Sequence, residues 1–205
     1  MKELVKKIEK VRNSESKKII DKRLLEFKSF NKKENKEWFS ELCFCLLTSN
    51  WKARESIEIQ NELSKSGFFN WSEEKLREYL KKRGHRFWPQ RAQRIVLARK
   101  YKNIKDVLLK EDDKRIWLVK NIKGLGMKES SHFLRNVGFF DYAILDRHII
   151  NSLIDNSLID DRKTLTPKRY IEIEKIMAKI ARNLSMSQGE LDMYVWYIKT
   201  GKILK

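Results

Sequence analysis

Glycine and proline are scarce, with 7 and 2 copies in 205 residues. Sandwiches and barrels need turn residues at frequent intervals, so this scarcity argues against an all-β chain and for helices. The 2 cysteines, Cys43 and Cys45, sit one residue apart in an apolar run, a spacing that does not readily form a bridge, and no further thiol exists to complete a thiolate cluster. That excludes a disulfide scaffold, structural zinc and an iron–sulfur cluster, and it points to a reducing compartment. No stretch approaches the roughly 20 apolar residues of a membrane span. The opening MKELVKKIEKV is an amphipathic charged helix without the apolar core of a signal peptide. A soluble, cytoplasmic chain that engages no membrane is expected. Acidic residues are also in deficit: Asp+Glu is 28 against 46 Lys+Arg, a formal charge of +18. This excludes a highly acidic protein and favours a polyanionic partner, nucleic acid or an anionic membrane. The competing reading is a solvated, lysine-rich surface, since 36% of the chain is charged.

What is present reads as helix. Leu4, Val5, Ile8 and Val11, then Ile19, Ile20, Leu24 and Phe27, recur at helical spacing, and a polar break follows at Asn31–Asn35. Trp38 to Leu47 is apolar nearly all round, the mark of a buried helix, and it runs into the polar Thr48-Ser49-Asn50. Further helices are expected over about 52–65, with Gly67 as its breaker, 72–84 with Gly84 at its end, 90–101 behind Pro89, 113–121, 127–137, from Asp146 onward, 167–183 and 187–198. Trp38 and Trp117 are expected in the core, and Cys43 and Cys45 behave there as small hydrophobes. The length suits one domain able to bury a core unaided.

The most informative segment is Ile122-Lys123-Gly124-Leu125-Gly126-Met127-Lys128. Two glycines around one apolar residue permit a tight turn with positive φ and leave backbone N–H groups unshielded at the start of the next helix, an anion site ready for a phosphate. An ordinary αα-corner would carry the same two glycines. Lys128 falls in the first turn of that helix, where the positive end of the dipole and the basic field disfavour an ammonium and favour the nucleophilic amine. Asp146, in Ala143-Ile144-Leu145-Asp146-Arg147-His148, is placed to cap a helix, with a second oxygen left to stabilise a developing cation.

Gly124-x-Gly126-x-Lys128, with Asp146 downstream, resembles the helix–hairpin–helix glycosylase superfamily. The stretch Lys128-Glu129-Ser130-Ser131-His132-Phe133-Leu134-Arg135-Asn136-Val137-Gly138 sharpens that resemblance, as do Asp146-Arg147-His148-Ile149 and the tail Trp196-Tyr197-Ile198-Lys199-Thr200-Gly201-Lys202-Ile203-Leu204-Lys205. Together they resemble the small archaeal-type 8-oxoguanine DNA glycosylase/lyases over about Ile19 to Lys205. Lys123 departs from the pattern, standing where many superfamily hairpins have proline. The cysteine cluster and the N-terminal β-domain of two larger branches are also absent.

The resemblance implies an all-α helix–hairpin–helix DNA glycosylase fold with two helical lobes and a lesion-binding cleft between them. About 36–138 would form the middle lobe, and about 1–35 plus 139–205 the other. It implies a monomer acting on double-stranded DNA that contains 8-oxoguanine, with no cofactor and no metal. Lys128 would attack C1′ of the extruded nucleotide and form a Schiff base, and β-elimination would cut the strand on the 3′ side. The Asp146 carboxylate would stabilise the oxocarbenium-like transition state. Phe87 and Trp196 would sandwich the base. Lys205, through its α-carboxylate, and Asp192 are candidate acceptors for the N7–H that only the oxidised purine carries. His132, one turn after Lys128, would face the same pocket, either as a base or phosphate contact or as a structural histidine. On the DNA side, Gly124, Gly126 and His148 would meet backbone phosphate and Asn50 would probe the gap left by the flipped base. Arg86 would contact the orphaned cytosine or a phosphate. Open alternatives are a glycosylase for oxidised pyrimidines or alkylated bases, a duplex-binding module without turnover, and a structured-RNA binder.

Overall fold

The computed structural model describes residues 1–160 and 164–205, and among these every regular element is helical. In chain order they are α1 (Lys2–Arg12), α2 (Ser16–Phe30), α3 (Asn35–Thr48), α4 (Ala53–Leu63), α5 (Gly67–Asn70), α6 (Glu73–Lys82), α7 (Trp88–Ala98) with a 3-10 turn at Arg99–Tyr101, α8 (Ile104–Leu109), α9 (Lys114–Asn121), α10 (Met127–Asn136), α11 (Arg147–Asp155), α12 (Pro167–Asn183) and α13 (Gln188–Thr200). No described helix is long and apolar enough to cross a membrane.

The chain divides into two compact units, one of Met1–Asn31 with Leu134–Lys205 and one of Lys32–Phe133. In the second unit α3 is the hub, packed by α4, α7 and α8. Its residues from Trp38 to Leu47 are all buried, which explains a helix with no polar face. Trp38 is fully buried with the Phe133 ring edge-on at 6.2 Å, and Cys43 and Cys45 are buried and form no disulfide, burial pushing the Cys43 thiol well up. In the first unit α13 is the hub, touching α1, α2, α11 and α12. Its end is closed by Gly201 in the left-handed conformation at φ 66°.

Three sequence expectations shift. Gly67 opens α5 rather than ending a helix, and a Cβ there would lie 2.6 Å from Leu63 Cδ2, so close packing demands the glycine. Trp117 is half-buried, edge-on to Tyr101 at 5.0 Å, instead of lying in the core. The helix expected over 90–101 starts at Trp88 and tightens into a 3-10 turn after Ala98, and α8, too short for a clear period, went unread.

Candidate active site

The turn before α10 uses its two glycines differently. Gly124 adopts φ 101°, which only glycine takes without strain, and the Arg94 side chain lies where its Cβ would be, 2.5 Å from Arg94 Cδ. Gly126 does not have positive φ, and a Cβ there would meet only Glu129 Oε2 at 3.5 Å. One left-handed residue therefore makes the turn, and the second glycine keeps the approach to the α10 N-terminus bare.

Lys128 is the second residue of α10, half-buried. Besides the basic field expected around Lys128, a carboxylate lies against it. Glu129 Oε1 lies 3.1 Å from Lys128 Nζ, with the two side chains only 14% and 29% exposed. Burial alone would raise the Glu129 carboxyl. Its pKa is nonetheless lowered, because the Lys128 charge and hydrogen bond, its own backbone N–H and the Ser49 hydroxyl all hold the ionised form. Ser49 also ties in α7, since its carbonyl accepts from Arg91 Nη2. Arg91 is buried, and burial, with Arg94 nearby, takes its pKa down to about 10. Its Nε and Nη1 find no hydrogen-bond partner among the described residues.

Phe87 stands at the N-cap of α7 with two guanidinium groups on its ring, Arg86 at 5.0 Å and Arg91 at 5.5 Å. Its backbone N–H donates to His85 Nδ1 at 3.3 Å, which assigns the proton to His85 Nε2, and that nitrogen donates to the Leu47 carbonyl at 3.1 Å. His85 is buried and stacked on Trp51 at 4.7 Å; burial, then the Arg91 charge, lower its pKa. Asn50 is exposed and left-handed at φ 54°, a conformation asparagine tolerates. Arg86 is exposed, and His132 sets its ring edge-on to Phe44 at 5.8 Å.

In the other unit Asp146 caps α11. Its Oδ1 accepts from the His148 and Ile149 N–H groups, both at 2.8 Å, which leaves Oδ2 outside the cap. The contact of α11 with α13 gathers several expected residues at one corner. The His148 ring meets Trp196 edge-on at 6.0 Å, and the Asp146 charge acts on Asp192. Asp192, offered above as a base acceptor, is buried and its Oδ2 accepts from Arg135 Nη1 at 2.9 Å, so the fold gives it an internal partner. Burial raises its pKa to about 7, Arg135 opposes this and Asp146 adds to it. Beyond α13, Ile203, Leu204 and Lys205 are half-buried. No group of three or more described His, Cys, Asp or Glu side chains gathers as a metal site. Sequence reasoning missed Glu129, Arg91, Arg94 and His85; of these only Glu129, beside the lysine, carried a local signal, as an acidic residue in a helix first turn.

A family model described as 8-oxoguanine DNA glycosylase matches residues 20–186. The 8-oxoguanine DNA glycosylase/AP lyase of Methanocaldococcus jannaschii is 52% identical to this chain over 98% of it and 99% of the relative. That of Korarchaeum cryptofilum is 42% identical over 99% and 98%. Among solved structures, the M. jannaschii 8-oxoguanine glycosylase/lyase in complex with 15mer DNA containing 8-oxoguanine superposes with a TM-score of 0.95 at 52% identity, covering 98% of this chain and 99% of that one. The 8-oxoguanine DNA glycosylase of Thermotoga maritima gives a TM-score of 0.92 at 41% identity, covering 100% and 99%.

Proposed function

The chain belongs to the 8-oxoguanine DNA glycosylase family of the helix–hairpin–helix class, and from that membership we propose that it is a bifunctional DNA glycosylase/AP lyase of base excision repair. It excises 8-oxoguanine from double-stranded DNA and cuts the strand 3′ to the abasic site. The observation that carries the assignment of residues is the setting of Lys128, in the first turn of a helix whose N-terminus is left bare by the Gly124–Gly126 turn. There the amine of Lys128 attacks C1′, the glycosidic bond breaks and the base departs with the electron pair and a proton. The sugar ring opens as Nζ forms a Schiff base, the C2′ proton is lost, and the C3′–O bond breaks. Asp146 supplies the fixed carboxylate that favours the cationic transition state.

Base recognition in this reading falls to Phe87 and Trp196 by stacking, with Lys205 as the acceptor that tells the oxidised purine from guanine. His132 contributes a base contact, and Asp192 acts from behind, through Asp146. Gly124, Gly126 and His148 take phosphate, while Asn50 and Arg86 attend to the strand opposite the lesion. One polypeptide of two helical lobes, working as a monomer in the cytoplasm wherever the chromosome lies, suffices for this chemistry.

The test is borohydride trapping on a duplex carrying 8-oxoguanine opposite cytosine. Wild type is expected to give a covalent adduct and Lys128→Gln none. A wild type that binds tightly but forms no adduct would overturn the Schiff-base assignment and leave a monofunctional glycosylase or a plain duplex binder.

A further inference from the structure

Adjacent residues on a helix do not normally face each other, yet Glu129 Oε1 sits 3.1 Å from Lys128 Nζ. Glu129 is itself anchored: the Ser49 hydroxyl supports its carboxylate, and Arg91, bonded to the Ser49 carbonyl, adds a favourable charge. A carboxylate in the first turn of a helix has an ordinary explanation, since glutamate at the third position reaches back to cap free N–H groups. Its backbone N–H does interact with its own carboxylate, and that explanation needs no charge. What it leaves unexplained is an ionised, mostly buried group aimed at the one nitrogen that this reading of the site makes reactive.

We propose that Glu129 is the counter-ion of the Lys128 nitrogen throughout the covalent stage of the reaction. The inference rests on Lys128 being the Schiff-base lysine. On an abasic site the amine adds to the C1′ aldehyde, water leaves, and Nζ becomes a protonated imine with one positive charge. That charge acidifies C2′–H: the proton passes to solvent, its electron pair moves into an enamine, and the C3′–O bond breaks as the 3′ phosphate leaves with that bond's pair. A fixed anion touching Nζ stabilises the imine relative to the neutral carbinolamine before it, in a site that holds the anion in place without reorganisation. Asp146 serves the cation that develops on the sugar; Glu129 serves the one that develops on nitrogen.

Glu129→Gln separates charge from capping, because glutamine fills the same cap position. On a duplex with a preformed abasic site, the variant is expected to keep wild-type melting temperature and duplex affinity. Both its borohydride-trapped fraction and its single-turnover strand cleavage should fall by about 10-fold or more. Glu129→Asp, which keeps the charge, should recover part of the loss. If the glutamine variant proves unstable, Ser49→Ala removes an anchor of the carboxylate and should lower trapping in the same direction. Trapping and cleavage equal to or faster than wild type in Glu129→Gln would overturn the proposal and leave Glu129 a helix cap. Absence of an adduct with wild type would instead overturn the Schiff-base assignment beneath it, so the two failures are distinct.

Discussion

At Asp146 a helix cap and the proposed catalytic charge fall to one side chain, and substitution can part them. The cap on α11 uses Oδ1 as acceptor for two N–H groups, and a neutral amide oxygen accepts as well as a carboxylate oxygen does. Asp146→Asn should therefore change stability by less than about 1 kcal/mol, the scale of a whole N-cap. The charge is another matter. A carboxylate that offsets an oxocarbenium ion in a partly dry site is worth roughly 10²–10³-fold in rate, so single-turnover excision of 8-oxoguanine should fall by about that factor with duplex affinity intact. Wild-type excision in the variant would reduce Asp146 to a helix cap. The same substitution removes a negative neighbour of Asp192, whose carboxyl should then titrate lower.

Between elements, His85 joins the end of α3 to the start of α7, one ring nitrogen on the Leu47 carbonyl and the other on the Phe87 N–H. Protonation would turn Nδ1 into a donor facing a donor, so the clamp works only with neutral imidazole. The sign follows from its lowered pKa. Between the folded value and the ordinary 6.5, the unfolded chain holds more protons, so stability rises with pH. The His85 contribution is complete above about 6.5 and is lost as pH falls through the folded value. Asp192 acts in the opposite sense, its raised pKa making the folded state relatively better as pH falls below about 7. Subtracting one profile from the other isolates the imidazole. Melting temperatures of wild type and His85→Ala, measured from pH 7.5 to 5, should converge as pH falls. A constant gap would mean that the ring acts by packing alone. This junction also marks where sequence reading stops. Helices such as α3 and α13 were legible because apolar spacing and caps are local, and so was the Gly124–Lys128 turn, since glycine spacing is local too. His85 and Arg91 read as ordinary polar residues in a basic stretch, because their roles depend on Leu47 and Ser49, some forty positions away in the chain. The different conformations of Gly124 and Gly126 were hidden for a related reason: composition shows that glycine is permitted, and only the folded turn shows where positive φ is used.

Across the whole chain, many acidic groups are taken up in short helical pairs such as Glu3–Lys6, Glu15–Lys18, Arg23–Glu26 and Lys52–Glu55, each neutral and exposed enough to contribute little to stability. The net +18 is therefore carried by the remaining lysines and arginines as a field available to phosphate. Such a field acts over about 10 Å at 0.1 M salt, whereas the reacting groups work in direct contact. Salt should then separate binding from chemistry. If the duplex meets about 6 phosphate-neutralising side chains, affinity for an 8-oxoguanine duplex should fall roughly 10³-fold between 50 and 200 mM salt. Single-turnover excision at saturating enzyme should stay flat over the same range. An affinity indifferent to salt would return the surplus charge to a solvated surface with no part in holding DNA. A saturated rate that fell in step with affinity would show the long-range field entering the chemical step, which the proposed nucleophile, carboxylate and counter-ion, acting at hydrogen-bond distance, do not require.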